Sequence, residues 1–264
     1  MRRRFFVDHF QGSKAILLGD AANHLGRVLR VERGQIFELS DGETVWLAQT
    51  ETVGREAIHF SLVEQLPAYV APLQINLQLA IVKFDRFEWA LEKATELGVD
   101  TIEPLVAERS EHGLVAAAAK RAQRWERILT ESAQQARRLR IPALRAAIKP
   151  REAFSVADGG VRLLLSERAG AIPMRALLEP AAAGVNGNEV SRVTIAIGPE
   201  GGWTDAEFSV AAAAGFTEAA LGANIMRTET AVCAALAAVQ YAFGAFRPPS
   251  DAESSKNAIR GKLS

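Results

Sequence analysis

The spacing of apolar residues changes character at Pro67 to Pro72, and this change constrains the fold more than any other feature of the chain. Before it, apolar residues come in short runs: Phe5 to Val7, Ala15 to Leu18, Gln35 to Ser40, Thr44 to Thr50 and Ala57 to Val63. Gly34, the Asp41-Gly42 hairpin signal and Gly54 punctuate them. Runs of this length between turn residues predict the strands of a small β-barrel. One helical exception spans Ala21 to Val31, where Ala22, Leu25, Val28, Leu29 and Val31 can share a face.

Beyond a linker at Ala68 to Ala71, apolar strands alternate with amphipathic helices. Strands are predicted at Leu73 to Val82, Ile102 to Val106, Val161 to Ser166, Val193 to Gly198 and Ala219 to Leu221. Helices are predicted near Phe84 to Leu97, Ala116 to Arg138, Asp205 to Ala214 and Glu229 to Phe243. Such alternation indicates an α/β domain with a largely parallel sheet. The predicted division is residues 1–70, residues 71–246, and a polar tail at 247–264 that opens Arg247-Pro248-Pro249 and is expected to be disordered. The helix after Lys83 carries Phe87, Ala90, Leu91, Ala94 and Leu97 on one face, and Gly98 stops it. The last helix is apolar nearly all round (Val232, Cys233, Leu236, Val239, Tyr241, Phe243), so either a central position or a dimer interface would account for it.

Composition excludes several function classes. Cys233 is the only cysteine, which rules out an intramolecular disulfide and a cysteine metal site and fits a cytoplasmic setting. His9, His24, His59 and His112 are too scattered for ligand spacing, so no metal is expected. The Arg2-Arg3-Arg4-Phe5-Phe6-Val7 start is broken by Asp8, His9 and Gln11 before it reaches the roughly 7 to 15 apolar residues of a secretory signal. No uncharged apolar stretch approaches the ~18 residues of a membrane span.

Two loops carry the chemistry. In Val193 to Glu207 an apolar strand ends in Gly198-Pro199-Glu200-Gly201-Gly202-Trp203, after which Thr204 and Glu207 read as a capping box. Three glycines let backbone approach a ligand at the C-terminal edge of a sheet, where open α/β folds bind ligands. The spacing is neither G-x-G-x-x-G nor that of a P-loop, which disfavours a nucleotide-phosphate site. In Leu221-Gly222-Ala223-Asn224-Ile225-Met226-Arg227-Thr228-Glu229-Thr230-Ala231, Thr228 is the expected helix cap. Glu229 is explicable as a first-turn acid. Arg227 opposes the helix dipole and so calls for another reason to be there.

Overall charge is balanced, with 31 basic and 31 acidic residues, but its distribution is not. Lys120 to Arg151 holds ten Lys or Arg against Glu126 and Glu131, and the first 33 residues hold seven against three. Two such clusters point to a polyanion partner. Arg3, Arg27, Arg30, Arg138 and Arg140 are the candidate phosphate contacts.

Together these segments resemble the RsmE family, bacterial methyltransferases of the SPOUT superfamily that modify N3 of a uridine in 16S ribosomal RNA. The resemblance runs nearly to Phe246. It rests on Arg4-Phe5-Phe6, His24 with Val28-Leu29-Arg30, Gly34 and Asp41-Gly42, then on Lys83 with Glu92 to Gly98, and on Gln135 and Arg138 before Ile141-Pro142. Its most specific blocks are Ile197 to Gly202 and Leu221-Gly222 with Arg227 to Ala231. It implies a PUA-like RNA-binding barrel, a trefoil-knotted α/β domain and a homodimer acting on the small ribosomal subunit. The implied cofactor, S-adenosylmethionine, would lie among three loops, contacted by Leu165, Glu167, Gly198, Pro199, Glu200, Gly202, Leu221, Gly222, Ile225, Met226 and Arg227. The chain departs from the family's usual Leu-Gly-Pro-Arg-Ile-Leu-Arg at Ala223, Asn224 and Met226, and has Gln134 where a Glu is usual.

For such a transfer, Arg227 is expected to stabilise charge developing on the uracil carbonyl oxygens, and Glu229 to accept the N3 proton or orient Arg227. The target base would have to be unpaired or flipped. Action on another RNA, such as a transfer RNA, and a non-catalytic RNA-binding module are the alternatives.

Overall fold

Period-two burial builds the first unit. In the strand Lys14–Leu18, Ala15 and Leu17 are buried while Lys14 and Leu18 face out. The computed structural model describes residues 4–23, 25–26, 31–156, 160–183 and 190–244. Five strands, β1 (Arg4–Phe6), β2 (Lys14–Leu18), β3 (Ile36–Ser40), β4 (Val45–Val53) and β5 (Ala57–Leu66), lie in the order β1-β3-β4-β5-β2. The β4–β5 pairing shifts register at Leu47/Ala48 and Thr50/Thr52, and such irregularities bend a strand and increase its twist. The sheet curls into a half-barrel around Phe5, Leu39, Ala48, Ile58 and Phe60, with β1 and β2 as its edges. The Asp41-Gly42 hairpin forms as expected: Asp41 Oδ1 accepts from the Glu43 and Thr44 amides, and Gly42 takes φ +90°. The helix expected over Ala21 to Val31 begins two residues earlier, and residues 25–26 are helical as well. A short α1 covers Gly19–Asn23, because Leu18 ends the strand and Gly19, at φ +62°, turns the chain into it. Of the remainder, His24 and residues 27–30 lie outside the described residues.

The second unit is a seven-stranded sheet whose pairings are all parallel. Its strands are β6 (Gln74–Ala80), β7 (Thr101–Leu105), β8 (Ala143–Leu144), β9 (Val161–Leu165), β10 (Ile172–Pro173), β11 (Arg192–Ile197) and β12 (Thr217–Ala220), in the order β10-β12-β9-β11-β6-β7-β8. Helices α2 (Phe84–Glu96), α3 (His112–Gln135), α4 (Pro150–Ser155), α5 (Met174–Ala182), α6 (Asp205–Ala213) and α7 (Thr228–Ala242) cover both faces. Val193, Ile195 and Ile197 of β11 face the core shared with α2, α5 and α7, while Ala196 faces Phe154, Trp203 and Phe216 on the side of α4 and α6. Burial on both faces explains the unbroken apolar strands. Short α4 and α5 and the two-residue β8 and β10 are elements that periodicity did not indicate.

The last strand, β12, is inserted between β10 and β9, and α7 returns to pack on α2, α5 and β11. The C-terminal strand thus enters the middle of the sheet rather than adding to an edge. The apolar α7 therefore takes a central position, burying Ala231, Val232, Ala235, Leu236 and Val239. Among the described residues no helix is long and apolar enough to cross a membrane.

The turn after α3 docks the first unit onto the second. Arg4 donates through Nε and Nη2 to Glu38 Oε2 at 3.1 and 2.8 Å, and through Nη1 to the Arg137 carbonyl at 2.7 Å. Arg137, held at φ +53°, returns Nη2 to Glu38 Oε1 at 2.8 Å. Ser40 Oγ donates to the Leu139 carbonyl and Arg140 Nε to that of Gly42.

Candidate active site

Strands β12, β9 and β11 are neighbours, so the loops leaving their C-terminal ends meet over one edge of the sheet. They enclose a cavity of about 410 Å³, within the roughly 300–1,000 Å³ typical of small-molecule sites. Its lining brings together Leu165, Glu167, Gly198, Pro199, Glu200, Gly202, Leu221, Gly222, Ile225 and Met226, all expected from the sequence, and adds Arg109, Trp203 and Thr228. Arg227 and Glu229 stand beside this lining rather than in it.

The glycine loop has the shape its residues permit. Gly202 takes φ +67°, and its amide closes a turn on the Pro199 carbonyl at 2.8 Å. A Cβ on Gly198 would come within 3.0 Å of the Trp203 ring, and one on Gly201 within 3.1 Å of Arg109 Cβ. Buried Trp203 donates through Nε1 to the Leu165 carbonyl at 3.1 Å, fastening this loop to the end of β9. Arg109 Nη1 donates to the carbonyls of Gly201 and Trp203 at 2.8 and 3.2 Å. Thr204 and Glu207 form the expected capping box at the start of α6, and Glu207 Oε1 also accepts the Glu108 amide.

At the start of α7 the structure corrects two expectations. Arg227, not Thr228, occupies the cap position. Thr228 is the first helical residue, and its hydroxyl turns away from the helix to donate to the Gly198 carbonyl at 3.2 Å, joining α7 to the glycine loop. Glu229 does not pair with Arg227; its Oε1 lies 3.9 Å from Nε of Arg86, whose Nη1 donates to Glu200 Oε1 at 2.9 Å. Glu229 Oε2 is buried without a hydrogen-bond partner among the described residues. Arg227 itself is exposed.

Of the expected phosphate contacts, Arg3, Arg27 and Arg30 lie outside the described residues. Arg138 is corrected: only 14% exposed, it donates to the Thr95 carbonyl at the end of α2 and faces Asp100 at 3.7 Å. Burial pushes its guanidinium below the usual range, and the Asp100 charge partly offsets this. Burial likewise pushes the Asp100 carboxyl up, against the Ile75 amide and Arg138. Arg140 remains exposed, although its Nε is engaged with Gly42.

Sequence reasoning missed Arg86, Arg109 and the hydroxyl of Thr228. A signal for Arg86 was available: it is a cation in the first turn of α2, the same dipole conflict that singled out Arg227.

The α/β unit that carries this glycine-built cavity at the C-terminal edge of its parallel sheet is of the RNA methyltransferase class. The family model described as RNA methyltransferase domain matches residues 70–240, and that described as RNA methyltransferase PUA domain matches residues 17–63. The ribosomal RNA small subunit methyltransferase E of Synechocystis is 33% identical over 222 residues, covering 82% of this chain and 69% of the relative. The Neisseria gonorrhoeae ribosomal RNA small subunit methyltransferase E, solved bound to S-adenosyl methionine, superposes with a TM-score of 0.80 at 30% identity, covering 91% of this chain and 98% of that one. A Legionella pneumophila methyltransferase solved with the same cofactor gives 0.81 at 30% identity, covering 92% and 98%. The chain belongs to the ribosomal RNA small subunit methyltransferase E family.

Proposed function

We propose that this protein methylates the N3 of a uridine in 16S ribosomal RNA of the small subunit, using S-adenosylmethionine, as a cytoplasmic homodimer. The observation that carries the reading is the cavity at the ends of β9, β11 and β12, walled by a loop in which Gly198 and Gly201 leave little room for a side chain and Gly202 takes a left-handed φ. The residues present fit such a cofactor: Gly198 to Gly202, Leu221, Gly222 and Met226 line the cavity, with the carboxylates of Glu167 and Glu200 available to an ammonium group. The bound cofactor supplies an electrophilic sulfonium methyl group.

The uridine imide holds a proton at neutral pH that must leave as the N3–C bond forms. Arg227, next in the chain to cavity-lining Met226, stabilises the negative charge that then appears on the uracil oxygens. Glu229 takes the proton. Its Oε2 has a lone pair unspent, and because it lies outside the cavity lining, transfer requires the seated base or one intervening water. Fixing both reactants on one sheet edge supplies the entropic part of the acceleration.

In this reading residues 1–70 engage RNA and residues 71–246 catalyse; the tail expected at 247–264 lies outside the described residues. Arg3, Arg27, Arg30 and Arg140 keep their place as phosphate contacts, and Arg138, being buried, does not. Dimerisation is supported by Tyr241, 81% exposed, in a hollow also lined by Met174, Leu178 and Ala238. The test is mass mapping of modified nucleotides from cells with and without the protein. A 3-methyluridine lost from 16S RNA is the expected result, whereas a loss confined to transfer RNA would replace this reading.

A further inference from the structure

Three elements converge on one side chain outside the cavity. Arg86 reaches from the first turn of α2 to Glu200, on the glycine loop, and to Glu229, in the first turn of α7. The arginine opposes the dipole of its own helix, while Glu229 is favoured by that of α7, so the arrangement concentrates opposite charges where two helix starts meet. Its guanidinium is about a quarter exposed and Glu229 less so, which keeps their attraction from being fully screened. A planar fork can hold two carboxylates at once; an ammonium is a single point charge.

We propose that Arg86 is a positioning residue for methyl transfer: by holding Glu200 and Glu229 on one guanidinium, it couples the seating of the cofactor loop to the placement of the α7 carboxylate. This rests on the reading of the cavity as the S-adenosylmethionine site and of Glu229 as proton acceptor. The two arms have separable consequences. Glu200 belongs to the cavity lining, so its arm governs cofactor affinity. Glu229 stands outside the lining, so its arm governs turnover once the cofactor is bound.

The experiment compares full-length wild type, Arg86→Ala, Arg86→Lys and Glu200→Gln. S-adenosylmethionine affinity is measured by calorimetry, and kcat and KM on small ribosomal subunits from cells lacking the protein. Arg86→Ala is expected to weaken cofactor binding about tenfold, the loss of one charge-assisted hydrogen bond, and to lower kcat at saturating cofactor at least as much. Arg86→Lys is expected to bring affinity back to within about threefold of wild type while kcat stays low, since it holds one carboxylate and not both. Glu200→Gln is expected to weaken binding with kcat largely kept. Should Arg86→Ala fail to fold, the affinity-against-kcat split of Arg86→Lys carries the test. Wild-type affinity and kcat in the Arg86 variants, or losses that follow thermal stability alone, would overturn the proposal while leaving the cofactor site intact. A wild type that binds no cofactor would remove both.

Discussion

The indole of Trp203 and the carbonyl of Leu165 are joined by a 3.1 Å hydrogen bond that ties the end of β9 to the glycine loop leaving β11. Because Gly198 lies flat against the same indole, the ring acts as a spacer between two walls of the cavity. Trp203→Phe removes the donor and is expected to cost about 1 kcal/mol of stability. Gly198→Ala is expected to do more, since its Cβ would meet the ring at 3.0 Å, closer than side chains normally pack. Calorimetry with S-adenosylmethionine should show the alanine variant weakened more than the phenylalanine variant; equal affinities would mean that the spacing of these loops is immaterial.

Arg227 gives a sharper test. It is exposed at the cap of α7 and lies outside the cavity lining, so its removal should spare the fold and most of the cofactor affinity. As a stabiliser of developing oxyanion charge it is worth a factor of about 10² to 10³ in kcat. Arg227→Ala is expected to lose that much in single-turnover methylation of small ribosomal subunits. A variant that binds cofactor and reacts at the full rate has no catalytic arginine there.

Tyr241 bears on assembly. It is the most exposed of the large hydrophobic side chains described, on the face of α7 opposite its buried residues and in the hollow that Met174, Leu178 and Ala238 line. In the homodimer proposed above, this side chain would lie in the interface. Tyr241→Glu is expected to convert a homodimer to a monomer in light scattering, with far-UV circular dichroism unchanged; an unaltered mass would place the interface elsewhere.

How much of this was legible in the sequence follows the range of the interactions. The Thr204–Glu207 capping box and the Asp41-Gly42 turn were readable because all their partners lie within three residues. The cavity was readable because parallel topology brings strand ends together without further information. Arg138 was misjudged because its partners, Thr95 and Asp100, are brought to it only by the packing of α3 on α2. Arg86 and Glu200 are 114 residues apart in sequence, and no local pattern encodes their meeting. Helix α5 went unseen because Pro180 and a run of alanines blur its apolar stripe, and α4 is too short to show one.

Asp41 supplies a pH-dependent prediction. Burial pushes its carboxyl up, but hydrogen bonds from the Thr44 and Glu43 amides and the Thr44 hydroxyl outweigh this and hold it below the usual range. A carboxylate depressed in the folded state adds stability that is fully present above its unfolded pKa of about 3.9 and is lost as pH falls through the folded value. Asp41→Asn keeps an acceptor oxygen but cannot titrate. Urea unfolding is expected to show it about 1 kcal/mol less stable than wild type at pH 7, with the gap closing below about pH 4. A gap independent of pH would show that the charge contributes nothing to the turn.

Glu38, paired with Arg4 in its own sheet and with Arg137 of the second unit, joins the two units, and its removal should separate their assembly from cofactor binding. The Arg4 and Glu38 side chains are nearly excluded from water, and Glu38 also receives Arg137, which is held in the left-handed region at the turn after α3. Deleting the carboxylate breaks a buried ion pair, a change that typically costs about 3–5 kcal/mol. Glu38→Ala is therefore expected to lower the thermal midpoint by several degrees. Glu38→Gln, which still accepts a hydrogen bond, should lose less. Neither substitution touches the cavity, so cofactor affinity at a temperature where the variants remain folded should stay near wild type. Affinity for small ribosomal subunits should fall, because the curled sheet is no longer held in one position on the α/β unit. A Glu38→Ala protein as stable as wild type and as tight on subunits would mean that the salt bridge does not hold the two units in register.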